Sequence, residues 1–299
     1  MKIAEVISTF PPYPGGMGYV CFHNARVLAQ RGHEVTVFTL DHERLSYDKD
    51  PREFRIVRLK TPLLYRDGGV IPQLCGKLKP FDIIHLHYPF YGGAEYVYLA
   101  SLLWGEKYFL TYHIDVSGNT FLKKTLIAFY EPLFNRRILR RADRIGALTL
   151  AHLKSSKVAG LVNWHRVVEV PNGVDSDKFR PREKDPDLLR KYGFAGKTVV
   201  LFVGNLQPFK GLHLLIDSIA ALEDKNVVLL VVGGGYAEKD YRAQVRERNI
   251  EDRVVFSGPK SPDEDPRTIT TSEISWFSLP PIRNRSGWWS LKRWPPGSP

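Results

Sequence analysis

The sequence predicts an α/β protein of two doubly wound domains, each a parallel sheet with helices on both faces. Three observations carry that expectation. Short apolar runs alternate with amphipathic stretches along most of the chain, the pattern of βα units on a parallel sheet. A glycine-rich turn, Pro11-Pro12-Tyr13-Pro14-Gly15-Gly16-Met17-Gly18, follows directly on the first apolar run. The series halts at a polar stretch, Asn172–Arg182, and then starts again, as it would at a domain boundary.

Taken in order, strands are expected at Lys2–Ser8, Glu34–Leu40, Phe54–Leu59, Phe81–Leu86, Lys107–Tyr112, Arg144–Leu148 and Arg166–Val170. Helical segments lie between them, around Gly18–Arg31, Gly93–Trp104, Phe121–Arg141 and Ala151–Val158. The second series runs strand Thr198–Val203, helix Leu212–Leu222, strand Val227–Val232, helix Tyr236–Arg248 and strand Val254–Ser257. The expected organisation is therefore a first domain over 1–171, a linker over 172–196, a partial second domain over 197–266 and an aberrant tail over 267–299. Ligands of such sheets sit beyond the carboxyl ends of the strands, and the two domains are expected to face a cleft.

Composition narrows the class. The chain is 43% hydrophobic and 25% charged, as in ordinary globular proteins. No apolar run reaches the length of a membrane span, and Glu5 stands where a signal peptide would be apolar, so a cytoplasmic location is expected. Lys and Arg number 43 against 32 Asp and Glu, a net charge of +11, which favours an anionic partner. No nucleic-acid module accompanies the charge; phosphorylated substrates and acidic lipid remain. Cys21 and Cys75 lie far apart without metal-ligand spacing and are expected to be packing residues.

The glycine-rich turn would expose backbone N–H groups and open a helix whose N-terminus favours anions. It is not the dinucleotide fingerprint, because no acidic residue ends the second strand; Asp41 follows it in a loop. The turn, with Arg31-Gly32-His33-Glu34-Val35-Thr36-Val37, Asp82-Ile83-Ile84-His85-Leu86-His87, Thr111-Tyr112-His113 and Val170-Pro171-Asn172-Gly173-Val174-Asp175, resembles the retaining glycosyltransferases of family 4. In the second domain Phe202-Val203-Gly204-Asn205, Lys210-Gly211, Val232-Gly233-Gly234-Gly235 and Phe256-Ser257-Gly258 extend the likeness, which spans roughly residues 1–265.

The resemblance implies the GT-B fold of two Rossmann-like domains and a hexose donated by a nucleotide sugar, UDP- or GDP-linked, to a glycan or lipid-linked acceptor. It implies a diphosphate site formed by Gly15 and Gly16 with basic residues of the second domain. Lys210 matches the lysine that neutralises the leaving group, and His113 the histidine beside the transferred sugar. Where the family usually carries an arginine this chain has Asn205, which supplies neither charge nor a bidentate fork; Lys260 and Arg267 are the nearby cations. Gly234 falls where backbone approaches the donor, and Gly258-Pro259-Lys260 where the base is held. No cofactor and no metal are expected. His85 and His87 alternate along their strand and are expected on opposite faces, and Asp175-Ser176-Asp177 reads as a turn. A non-catalytic sugar-nucleotide or glycan binder, or another GT-B enzyme such as a sugar-nucleotide epimerase, are the alternatives. The stretch Phe121–Arg144, basic and aromatic, is the candidate for an anionic membrane surface.

The pattern breaks after Asp265. Residues 274–299 hold four of the six tryptophans and no acidic residue. Reading one base earlier forces valine at Trp276-Phe277 and at Trp288-Trp289, and alanine at Trp294-Pro295, an order that fits the family's donor-binding stretch. The tail is therefore expected to be a frameshifted reading, and this copy to be inactive.

Overall fold

The computed structural model describes residues 1–13, 15–42, 47, 50–65, 67–116, 125, 128, 130–173 and 186–259. The tail over 267–299, Lys260, Arg267, Asp175-Ser176-Asp177 and most of 121–129 lie outside the described residues. The chain divides into two compact units, Met1–Gly173 and Val174–Pro299.

In the first unit the elements run β1 (Lys2–Val6), α1 (Gly16–Gln30), β2 (Glu34–Leu40) and β3 (Arg55–Leu59), then a small hairpin of β4 (Leu64–Tyr65) and β5 (Gly68–Gly69). They continue with α2 (Gln73–Leu78), β6 (Ile83–Tyr88), α3 (Ala94–Leu103) and β7 (Tyr108–Tyr112). A π-helical turn, Glu131–Asn135, leads into α4 (Arg136–Arg141), followed by β8 (Arg144–Ala147), α5 (Leu150–Ser155) and β9 (Val167–Glu169). The seven long strands form one parallel sheet in the order β3-β2-β1-β6-β7-β8-β9. Its direction of growth reverses between β1 and β6, the switch point at which doubly wound sheets open a crevice.

Apolar residues fill both faces, which is why the strands read as unbroken hydrophobic runs. Ala4, Val6, Ile84, Leu86 and Leu110 pack on the side of α2, α3 and α4. Ile3, Ile7, Val35 and Val37 pack against Cys21 and Ala25 of α1. Burial of each such Val, Leu or Ile contributes about 1.5–3 kcal/mol. Both cysteines are buried.

Helix α1 stops where its sequence says it should. Gly32 takes a left-handed φ of 82°, its N–H reaches Ala29 O at 2.9 Å, and His33 N–H returns to Leu28 O at 3.2 Å, a glycine-capped end. At the other end a Cβ on Gly18 would stand 2.8 Å from Thr9 O, so only glycine lets α1 lie this close to the loop after β1.

The second unit runs α6 (Pro186–Lys191), β10 (Thr198–Val203), α7 (Leu212–Ala221), β11 (Val227–Val232), α8 (Glu238–Glu247) and β12 (Val254–Gly258). Its parallel sheet has the order β10-β11-β12. Leu206, Leu212, Ile216, Leu229, Val231 and Tyr241 form the core on one face; Val199, Val228, Leu230 and Phe194 form it on the other. Part of the expected linker is therefore core. Pro186 starts a helix whose Leu189 packs inward, Gly193 (φ 69°) ends it, and Phe194 is buried against β10 and β11. A polar composition concealed a short amphipathic helix.

Candidate functional site

Strand β1 carries two charged residues, Lys2 at its exposed start and Glu5 among the buried ones. Glu5 has the parity of Ile3 and Ile7, so its carboxylate enters the layer beneath α1, where it is fully buried. An ion there needs hydrogen-bonded partners, and β6 supplies them. Glu5 Oε2 lies 2.8 Å from His85 Nδ1 and 2.8 Å from His87 Nε2. His85 Nε2 is 2.7 Å from Thr111 Oγ1, and His87 Nδ1 is 2.9 Å from Nε2 of His113. The His85 and His87 rings lie 4.3 Å apart, and those of His87 and His113 stack at 5.1 Å.

This overturns the expectation that His85 and His87 point to opposite faces. Residues two apart on a strand share a face, and register pairs His85 with Glu5 on β1 and with Phe109 on β7. Although no metal is expected from the sequence, a ligand-type cluster does form: the donor atoms of Glu5, His85 and His87 lie within 4.8 Å of one another. Both nitrogens, however, stand at hydrogen-bonding distance from a single oxygen, and hydrogen bonds account for the arrangement without an ion.

Electrostatics follow from the burial. Burial alone pushes the Glu5 carboxyl up, but the charges and hydrogen bonds of His85 and His87 outweigh it and hold it at about 2. Burial, reinforced by the neighbouring imidazoles, lowers His87 to about 4 and His113 to about 3. Burial, with the nearby Glu5 charge, holds the Cys21 thiol well above its usual range. At neutral pH the Glu5 carboxylate is charged, and His87 and His113 are neutral.

His113 follows the carboxyl end of β7, fixed by its N–H to Tyr88 O at 2.9 Å, and only a small edge of it reaches solvent. On the same side of the sheet, Gly15 caps α1 in extended backbone (φ 173°), and Gly16 is exposed as its first residue. The helix has no side-chain cap and no acidic residue in its first turn, the condition in which a helix start receives an anion. The structure thus brings Glu5, His85, His87, Thr111 and His113 into one network. Glu5 was legible as a candidate: a lone acid at an inward position between Ile3 and Ile7 demands a buried partner, and His-x-His was the obvious one.

In the second unit the loops after β10 and β11 are laced together through their backbones. Gly204 N–H bonds Val232 O at 3.0 Å, Leu206 N–H bonds Gly234 O at 3.0 Å, and Gly233 N–H bonds Gly258 O at 3.0 Å. A Cβ on Gly233 would stand 1.9 Å from Gly204 O, and one on Gly235 2.4 Å from Leu206 O. Gly234 has ordinary space beside Pro259. The glycines therefore press two strand-end loops into contact and leave Asn205 exposed at the carboxyl edge of β10. Lys210 ends the 3₁₀ turn Pro208–Lys210, separated from α7 by Gly211 alone, exposed and with its Nζ 5.4 Å from the Phe209 ring.

Comparison with known proteins gives this arrangement a family. The profile described as Glycosyltransferase Family 4 matches residues 14–178, and that of Glycosyl transferases group 1 matches residues 185–279. The chain is 27% identical over 273 residues to O-antigen chain mannosyltransferase C of Escherichia coli, covering 89% of this chain and 69% of that protein. It is 29% identical to 2-deoxystreptamine glucosyltransferase of Streptomyces kanamyceticus, covering 92% and 77%. Among solved structures it resembles Anabaena Alr3699/HepE in complex with UDP and glucose, with a TM-score of 0.66, 19% identity and coverage of 89% and 71%. The fold class is GT-B, with its two Rossmann-like units. The first profile spans more than half of the sequence, and the chain belongs to Glycosyltransferase Family 4.

Proposed function

We propose that this glycosyltransferase transfers a hexose, with retention, from a UDP- or GDP-sugar to a glycan or lipid-linked acceptor. The observation that carries the reading is the pair of family matches in order, 14–178 and 185–279, each over a unit whose candidate residues lie at carboxyl ends of its strands. A relative of similar fold has been crystallised with UDP and glucose, which supports a nucleotide-sugar donor.

Each candidate has a physical role. The open N-terminus of α1, at Gly15 and Gly16, offers backbone donors to phosphate. Lys210 supplies positive charge where negative charge develops on the departing phosphate. Asn205 adds a neutral donor in place of the family arginine, so more of the leaving-group stabilisation falls to Lys210. Gly234 lets the chain approach the donor, and His113 contacts the transferred sugar. The acceptor hydroxyl attacks from the side the leaving group departs, and the phosphate oxygen takes its proton, so the protein contributes orientation and charge rather than a covalent intermediate.

An anionic membrane surface is the proposed setting. Tyr98, Pro132, Arg136, Arg137, Arg140 and Arg141 line an open depression of about 630 Å³. Beside it, α3 exposes Leu99, Leu102 and Leu103, and Trp104 follows, exposed at its C-cap, with Arg141 bonded to Ser101 O at 2.8 Å. Apolar side chains next to arginines suit the headgroup region of acidic lipid.

The test is donor hydrolysis or transfer with UDP- and GDP-sugars, with Lys210→Ala alongside. An about tenfold or larger loss of kcat/KM is expected, of the order of 1.4 kcal/mol. Unchanged kinetics would remove Lys210 from the mechanism, and donor binding without turnover both in this chain and in one with the reading frame corrected from about residue 267 would reduce the protein to a binder.

A further inference from the structure

The buried cluster contains more than contacts; it contains a direction. A carboxylate only accepts, so Glu5 must receive an N–H from each imidazole that touches it. His87 therefore carries its proton on Nε2, facing Glu5 at 2.8 Å. Being neutral, it has a bare Nδ1, and Nδ1 is the atom facing His113 Nε2 at 2.9 Å. That contact is a hydrogen bond only if His113 donates. His113 must then be the Nε2–H tautomer, with its Nδ1 bare.

We propose that Glu5 and His87 are positioning residues which fix the tautomer of His113, so that its Nδ1 faces the substrate as a hydrogen-bond acceptor. Glu5 lies on β1, two strands away from β7, and acts only through His87. The same charge orders the other branch: His85 gives its Nδ1–H to Glu5, its Nε2 lies 2.7 Å from the Thr111 hydroxyl, and that branch ends there. An imidazole free in water interchanges its two neutral tautomers; a chain anchored on a buried anion does not. A bare Nδ1 selects a group that can donate, a sugar hydroxyl, and repels the lone pairs of phosphate or of a ring oxygen. In its functional half this rests on the reading of His113 as a contact to the donor sugar; in its tautomeric half it rests on geometry alone.

The two halves are separated by experiment. Long-range ¹H–¹⁵N spectra of the full chain at neutral pH report which imidazole nitrogen carries the proton, with His113→Gln assigning the signal. In the parent chain His113 is expected with Nδ1 unprotonated. In Glu5→Leu, His87 Nε2–H would be a buried donor without an acceptor, which costs more than a bare nitrogen. The His87 proton then moves to Nδ1 and drives that of His113 outward, so its Nδ1 becomes protonated or averaged. His87→Leu gives a second route to the same loss if Glu5→Leu does not fold. Thr111→Val, which touches only the other branch, should leave the His113 signal unchanged. Parent His113 protonated on Nδ1, or a signal unmoved in both Glu5→Leu and His87→Leu, overturns the relay. With the donor, the tautomer-shifted variants should lose about tenfold in kcat/KM, mostly through KM, the worth of one hydrogen bond. A shifted tautomer with undiminished kinetics overturns the positioning role. No sugar-nucleotide turnover, either in the parent or in a chain with the reading frame corrected from about residue 267, sinks the proposed function, while the spectra still decide the relay.

Discussion

Arg253 is the least exposed charged side chain of the second unit among the described residues, and it has no acidic partner in its hydrogen bonding. It is 2% exposed. Its Nε bonds Val227 O at 3.1 Å, Nη1 bonds Leu222 O at 3.4 Å and Nη2 bonds Asp224 O at 3.1 Å. Leu222 and Asp224 belong to the turn that joins α7 to β11, and Val227 opens β11, so one guanidinium ties that turn and strand to the start of β12. Arg253→Met keeps much of the length and removes every donor. Each charge-assisted bond contributes about 1.5–3 kcal/mol, offset by no longer burying a cation, and the carbonyls left without a donor bring the net cost to about 3–4 kcal/mol. That is a large share of the 5–15 kcal/mol that holds a typical domain. Hydrogen exchange read by mass spectrometry follows each unit separately. Amides of β11 and β12 should exchange about 100- to 1000-fold faster in the variant, at about 1.4 kcal/mol per decade, while β1 and β6 stay as in the parent. Arg253→Lys should fall between, since one ammonium cannot reach three carbonyls. Unchanged protection in β11 and β12 would refute the reasoning.

Gly233→Ala should unfold the second unit or halve its soluble yield, because a Cβ would sit 1.9 Å from Gly204 O at a φ of 146°; Gly234→Ala, with its nearest atom at 3.6 Å, should fold normally, and circular dichroism distinguishes them. Stability should fall on acidification below about pH 6.5. His87 and His113 are held neutral in the fold, with values of about 4 and about 3 against 6.5 unfolded, so the unfolded chain binds protons first. Each histidine then costs about 1 kcal/mol per pH unit until its folded value is reached; Glu5, held at about 2, adds a loss in the same direction below its ordinary 4.5. Urea midpoints between pH 7 and 4.5 measure this, and a flat profile would contradict it. Arg136→Glu with Arg140→Glu should abolish co-sedimentation with anionic vesicles and leave neutral vesicles unbound; equal binding of parent and variant removes α4 from the membrane surface.

Much of the fold was legible because parallel strands buried on both faces leave plain apolar runs. Glu34–Leu40, Thr198–Val203 and Val227–Val232 are strands with the boundaries their sequences suggest. The short elements were not legible. Helix α2 is six residues with Gly76 inside it, and α6 begins among charges, so neither offers two full turns of period to read. In the candidate site, His113 and the glycines were visible as motif positions. The network as a whole was not, because it joins residues 5, 87 and 113 from neighbouring strands far apart in sequence; the shared face of His85 and His87, by contrast, follows from their spacing of two. Glu5 carried a signal that was used for something else: its charge argued against a leader sequence, while its parity argued for a buried partner.

The Glu5 carboxylate also makes the pairing of the two central strands intolerant of error. Parallel strands of mostly Val, Ile and Leu can slide past one another with little change in what they bury. Here β1 and β6 meet with Ile3 against Ile83, Glu5 against His85 and Val6 against Leu86. A slip of one residue would turn every side chain of β6 to the other face, and both imidazoles would leave the carboxylate alone in an apolar layer. An unpaired buried ion costs several kcal/mol, more than any single hydrophobic mismatch in these strands. The charge thus works as a proofreading device for assembly: it penalises the one-residue slip at the switch point of the sheet.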